Sequence, residues 1–295
     1  MNRQVTAYKL YNEIMELHGA DEFKEKVRLL RVFQKNRVKY SAEYVTIPNY
    51  LWIARRGGGV STCIDAFAEY LYAENIIEFN GLVKYFEFKL AYIATGEFFS
   101  ELTRLNNTIS EIAGHHRYYR GLACLHIDEW QGHANEEYFY KTLDYLASKN
   151  DKIKVVFCIN TKDKRLIEGI ESVIASRLRL ETVLFKFPDV NELVDYIEAK
   201  YFEKQGFHLT EGAEKLLRES IRAISKGKHF HGFVTVRQLA KDILYHLLVS
   251  DIRSQKISAD MLCDFSEDSA YIKRLKTFVN AKSVIGFGNG GERAR

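Results

Sequence analysis

The sequence predicts an α/β fold: a doubly wound, mainly parallel five-stranded sheet over residues 1–187, a smaller all-α lid-like unit over 188–252, and an extension or linker over 253–295. Three observations carry that expectation. Short apolar runs alternate with segments of helical periodicity through the first two thirds of the chain. A glycine-rich loop joins one of these runs directly to a helix pattern. Beyond Pro188 the strand pattern stops while the helical one continues.

Taken in order, residues 21–35 place Phe23, Val27 and Leu30 on one helix face. Tyr50 to Ala54 is a strand-like run, followed by Arg55-Arg56-Gly57-Gly58-Gly59-Val60-Ser61-Thr62 and a helix burying Ile64, Phe67, Ala68, Leu71 and Tyr72. A second strand is expected over 85–93, then a helix through Phe98, Leu102, Leu105, Ile109 and Ile112. Leu122 to Ile127 is a third apolar run and ends in Asp128-Glu129. A helix through Phe139, Leu143 and Leu146 leads to the β-branched run Ile153 to Ile159, which ends at Asn160-Thr161. The last pair is a helix through Leu166, Ile167, Ile170 and Ile174 and a strand over 182–187. Asp189 and Glu192 then have capping-box spacing, and helical patterns run to about residue 252.

At 295 residues and 46% hydrophobic, the chain can bury a core for one large and one smaller domain. It has no run of eighteen apolar residues and no secretory signal at its start, so a soluble, cytoplasmic protein with no membrane partner is expected. Cys63, Cys124, Cys158 and Cys263 lie far apart without metal-ligand spacing, which disfavours disulfides and zinc. A net charge of +4 over 43 basic and 39 acidic residues is a mixed surface, which argues against nucleic acid as a partner. His115-His116 reads as a solvated pair, since adjacent residues face different sides of a helix.

The chemistry concentrates at the glycine loop. A glycine loop between strand and helix brings backbone amides to phosphate oxygens at the positive end of the helix. Against the pattern GxxxxGK[ST], the segment Ala54 to Ser61 keeps Gly59 and Ser61, has Ala54 for the first glycine, and has Val60 for the lysine. Asp128 and Glu129 at a strand end suit a carboxylate for a Mg²⁺ shell and one for the attacking water. Asn160 ends the next strand and can reach the same water. Arg177 and Arg179, after the following helix, are cations able to act across a subunit boundary, and Arg237 opens a helix of the second unit. Read singly, these would be a turn, an acidic corner and solvated charges; their order and spacing favour a site.

With those residues in that order, the chain resembles the AAA+ family, and within it the CbxX/CfqX and SpoVK-like branch, over about residues 15–250. The segment Leu17 to Arg28 is similar to the helix entry that precedes the phosphate loop there, whose leading turn, at Gly19, packs near adenine. By the same resemblance Asp128 and Glu129 match Walker B, Asn160 sensor 1, Ser176-Arg177-Leu178 the arginine-finger segment, and Val236-Arg237 sensor 2. The resemblance implies ATP or ADP with Mg²⁺. Nucleotide would be held by Gly19, Gly57, Gly58, Gly59, Val60, Ser61, Thr62 and Arg237, the metal by Ser61 and Asp128, with Glu129, Asn160 and Arg177 as catalytic residues. It implies self-association into a ring or filament, alone or with other AAA+ subunits, around a protein partner, with residues 94–99 lining a pore and Phe99 gripping substrate.

The departure is the phosphate loop itself. A missing lysine deletes a charge-assisted contact of roughly 1.5–3 kcal/mol. The leading expectation is therefore a partner-remodelling or scaffolding subunit with weak or absent hydrolysis. A second reading is an active ATPase in which Arg55 or Arg56 replaces the lysine, and a third is a DNA-acting loader, which would want a basic winged helix or hairpin not seen in the sequence. Gly286, Glu292 and Arg295 repeat the spacing of Gly19, Glu25 and Arg28, either by chance or as the start of another unit.

Overall fold

The structure, a computed structural model, describes residues 3–42, 45–78, 84–89, 97–114, 121–127, 136–150, 152–227, 230–250 and 254–277. The chain divides into two compact units, Met1–Lys186 and Phe187–Arg295.

In the first unit, α1 (Arg3–Met15) and α2 (Asp21–Lys39) precede β1 (Asn49–Ala54) and α3 (Val60–Ala73). Then come β2 (Phe86–Lys89), α4 (Glu97–Gly114), β3 (Gly121–His126), α5 (Glu136–Ser148), β4 (Ile153–Asn160), α6 (Lys164–Ala175) and β5 (Leu180–Leu184). The five strands form one sheet in the order β2-β3-β4-β1-β5, with every neighbouring pair parallel. Period-two alternation divides their side chains between two cores. Tyr50, Trp52, Cys124, Val156 and Cys158 pack under α1, α2 and α3. Leu51, Ile53, Ala123, Leu125, Val155 and Phe157 pack under α4, α5 and α6. Burial on both faces is why β1 is apolar almost throughout.

An aromatic knot seats α3 on β1. The Phe67 ring lies 5.5 Å from Tyr50, 5.7 Å from Trp52 and 5.7 Å from Phe23, in edge-on or tilted pairs. At the opposite, amino end of the sheet, the Asn49 side chain donates to Asn150 Oδ1 at 3.0 Å and accepts from Val155 N at 2.9 Å. The buried ammonium of Lys154 donates to Thr46 Oγ1 and Asn150 Oδ1, both at 3.0 Å. Buried polar groups are thus paired where the strands begin.

Two strands differ from their expected bounds. β5 runs over Leu180–Leu184 rather than 182–187, because its register is set by β1, whose first residue, Asn49, pairs with Leu180. The described part of β2 is Phe86–Lys89, and the rest of the expected 85–93 strand beyond it lies outside the described residues.

The second unit contains α7 (Val190–Ile197), β6 (His208–Leu209), α8 (Glu211–Ser225), α9 (Phe233–Val249), β7 (Lys256–Ile257) and α10 (Ala270–Thr277). The capping box at α7 is present: Glu192 N donates to Asp189 Oδ1 at 2.9 Å and Asp189 N to Glu192 Oε2 at 2.8 Å. Two expectations are corrected here. The unit is not all-α, since β6 and β7 form a short parallel ladder. Nor are residues 254–277 an extension outside it: Ile257, Leu262, Phe265 and Ile272 belong to the same core as Leu193, Leu217, Ile221 and Leu239. The buried Ser220 hydroxyl also donates to the Phe265 carbonyl at 2.7 Å. Their apolar residues are too sparse for a helical pattern to announce, and only packing against α8 and α9 reveals them.

Candidate phosphate-binding site

β1 and β4 are neighbours whose following helices, α3 and α6, lie on opposite faces of the sheet. Such a switch point leaves a crevice beyond the carboxyl ends of the two strands. The glycine loop leaves β1 there. Its first half is a turn closed by Gly58 N donating to Arg55 O at 2.9 Å. Gly57 and Gly59 sit at φ +86° and +89°, in the left-handed region that side chains with a Cβ rarely adopt. Gly58 is constrained differently, because a Cβ there would lie 3.0 Å from the Arg55 carbonyl oxygen.

Gly59 is the N-cap of α3, and no side chain caps that end. The first amide to bond back along the turn is Cys63 N, to Gly59 O at 3.1 Å. The N–H groups of Val60, Ser61 and Thr62 therefore have no acceptor within the helix, and the positive end of the helix dipole lies among them. Ser61 and Thr62 are exposed beside those amides. Val60 is half-buried and packs against the core under α3. These features fit an anion: uncapped amides, a loop shape that glycine permits, and hydroxyls at the rim. Ser61, exposed in the first turn of α3, is a hydroxyl whose oxygen is of the type hard cations prefer.

Asn160, the last residue of β4, is in register with Ala54, and its Oδ1 accepts from Arg56 N at 3.1 Å. Gly19 and Ala20 both have positive φ, +65° and +57°, in the turn that enters α2. Glu22 Oε2 accepts from Leu184 N at 2.8 Å, and Leu184 is in register with Ile53, so that turn stands at the loop's end of the sheet. The loop, Asn160 and the Gly19 turn are thus brought together.

Arg177 is not. It follows α6 at the amino end of the sheet, where the Arg179 carbonyl accepts from Asn49 N at 2.9 Å. The length of β1, roughly 20 Å at the usual rise per residue, separates it from the loop. Its Nε donates to Asp144 Oδ1 at 2.8 Å, its Nη1 to Ser176 Oγ at 2.8 Å, and its guanidinium lies 4.6 Å from the Tyr140 ring centroid. Arg237 is exposed on α9 in the second unit, where its charge favours the phenolate form of Tyr196, although burial dominates and raises that phenol. Asp128 and Glu129 lie outside the described residues. The last described residue before them, Ile127, donates its N–H to Cys158 O at 2.9 Å. Residues 94–96, the side chains of Phe98 and Phe99, His115, His116 and residues 282–295 also lie outside the described residues.

A cluster unforeseen in the sequence lies on the α3 face of the same sheet. Cys124 Sγ is 3.5 Å from Cys158 Sγ and 3.7 Å from His126 Nε2, and His126 Nε2 is 2.8 Å from Glu87 Oε1. The i, i+2 spacing of Cys124 and His126 was visible; Cys158 and Glu87 arrive from other strands. Both polar contacts of the imidazole use the same ring nitrogen, which rules out a nucleophile–base–acid relay of the usual kind. Hydrogen bonding to Cys124 raises the His126 pKa; burial opposes this, and Glu87 adds to it. A raised folded value means stability that is lost as pH climbs through it, while toward acid the Cys124 thiol, itself lowered to about 6, takes up its proton and the pair weakens. The His126 ring should titrate above its ordinary value of about 6.5 in an NMR pH series, and His126→Gln should remove the alkaline part of the stability profile. A ring midpoint at or below about 6.5 would show that the pair does not form.

The glycine loop thus leaves an interior strand at a switch point of a parallel sheet ordered β5-β1-β4-β3-β2, a doubly wound α/β fold. Among solved structures the chain is similar to that of PCH-2 from C. elegans, with a TM-score of 0.53 and 10% identity over 88% of this chain and 69% of that chain. At that identity the likeness shows the fold and nothing of the chemistry. No family model matches the chain, and no curated protein matches it. Among the described residues, no helix is long and apolar enough to cross a membrane.

Proposed function

We propose that this chain is a nucleotide-binding AAA+ subunit, of the CbxX/CfqX and SpoVK-like branch, that assembles with itself or with other AAA+ subunits and remodels or scaffolds a protein partner, with weak or absent ATP hydrolysis. The observation that carries this reading is the α3 entrance: three uncapped amides behind a glycine turn, with Val60 turned into the core where a cation would face phosphate. Such a site holds ATP or ADP by backbone and dipole, with Ser61 and Thr62 at its rim, and lacks the point charge that tightens the grip on the β- and γ-phosphates. In this reading Asp128 completes the Mg²⁺ shell with Ser61, and Glu129 orients water.

Arg177 lies too far from its own chain's loop to serve it, which supports a role toward a neighbour's nucleotide. Its present partner does not prevent this. Asp144 is 64% exposed, and an exposed ion pair of this kind is worth only about 0–1 kcal/mol. A neighbour's phosphate, with more charge, would compete well for the guanidinium.

The test is light scattering with ATP and Mg²⁺ alongside calorimetry. The wild-type chain should form larger species with nucleotide, and Arg177→Ala should reduce assembly several-fold while leaving the affinity of the unassembled chain unchanged. A chain that stays monomeric with every nucleotide, wild type and variant alike, overturns the assembly reading.

A further inference from the structure

We infer that Asn160 is a positioning residue for the glycine loop, holding its first turn in the shape that receives phosphate; this rests on the phosphate-site reading above. The backbone argument starts where β1 ends. Ala54 pairs with Asn160, the last residue of β4, and β5 contributes its last described bond to β1 when Phe185 N donates to Ile53 O at 2.8 Å. Beyond that point, among the described residues, no strand is left to take an amide from the loop. Arg56 N–H therefore leaves the ladder without a backbone acceptor, and Asn160 Oδ1 supplies one at 3.1 Å.

Two residues later the loop folds on itself through Gly58 N and Arg55 O. The turn is thus tethered at one point to β4 and closed at another on its own backbone. Release of the Asn160 tether frees the Arg55–Gly58 turn to pivot about Ala54, and the approach to the α3 amides through Gly59 is then no longer fixed. Ordering a loop in advance spares that entropy loss on binding.

The residue type suits the task. An amide oxygen accepts a hydrogen bond, more weakly than a carboxylate, but brings no negative charge beside a phosphate site. Aspartate would hold the loop and repel the ligand; leucine would do neither. Holding the loop also requires no turnover, so this function operates in a site without its lysine.

Asn160 is exposed, and its replacement leaves both cores untouched. The experiment is amide hydrogen exchange at Arg56 in the nucleotide-free protein, followed by calorimetry with ATP and Mg²⁺. Exchange at Arg56 should be slow in the wild type and in Asn160→Asp, and about fivefold or more faster in Asn160→Leu. ATP affinity should fall about fivefold or more in Asn160→Leu, and in Asn160→Asp it should fall while Arg56 stays protected. Unchanged exchange in Asn160→Leu overturns the tether. Faster exchange with wild-type ATP affinity overturns its role in binding. If the wild type binds no nucleotide, the proposed function fails, and the exchange comparison still decides the tether by itself.

Discussion

Val60→Lys is expected to tighten ATP binding about tenfold or more, since a restored charge-assisted contact supplies at least the roughly 1.4 kcal/mol that a factor of ten requires. The geometry allows it. Val60 opens α3 half-buried against the core, so the methylene stem of a lysine can follow the same path while its ammonium snorkels toward the loop mouth. There it would meet the β- and γ-phosphates of a nucleotide bound as proposed. Turnover should appear with it, and Glu129→Gln should then abolish that turnover. Calorimetry and phosphate release on both proteins measure this. No gain in affinity would mean that the Arg55–Gly58 turn does not hold a phosphate-binding shape. Tight binding and brisk hydrolysis by the wild type would instead mean that Arg55 or Arg56 already supplies the charge.

Phe67→Ala is expected to destabilise the first unit by about 3–5 kcal/mol, the usual range for removing a buried aromatic ring. Phe67 is 1% exposed and touches Tyr50, Trp52 and Phe23, so its loss opens a cavity bounded by β1, α2 and α3 at once. Because whole domains have only about 5–15 kcal/mol in hand, this is a large fraction. The same knot fixes α3 relative to β1, and the loop between them inherits that geometry. Nucleotide affinity should therefore fall together with stability, and Phe67→Leu should lose much less of both. Urea unfolding of the first unit provides the measure; a loss under about 1 kcal/mol would show that α3 is not seated there.

Much of the site was legible because its signals are local. Strand, glycine loop and helix follow one another without interruption from Tyr50 to Tyr72, and the need for positive φ at Gly57 and Gly59 is the kind of demand glycine announces. The capping box at Asp189 and Glu192 was readable for the same reason, since its partners are three residues apart. The place of Asn160 was also visible at a strand end, but its bond to Arg56 was not. The two residues are 104 apart, and nothing in either segment states that β4 pairs with β1 rather than with its sequence neighbour β5.

The sequence by itself determined the α/β class, the alternation of buried faces, the position of the glycine loop and the absence of a lysine from it, because periodicity and turn chemistry act over a few residues. Only the tertiary structure decided the strand order, the tether from Asn160 to the loop, the gathering of Cys124, Cys158, His126 and Glu87, the distance of Arg177 from the loop, and the membership of residues 254–277 in the second unit's core. Each of these depends on which distant segments a crossover connection brings side by side, and that choice is made by burying both faces of the sheet at once, an outcome of the whole chain's packing.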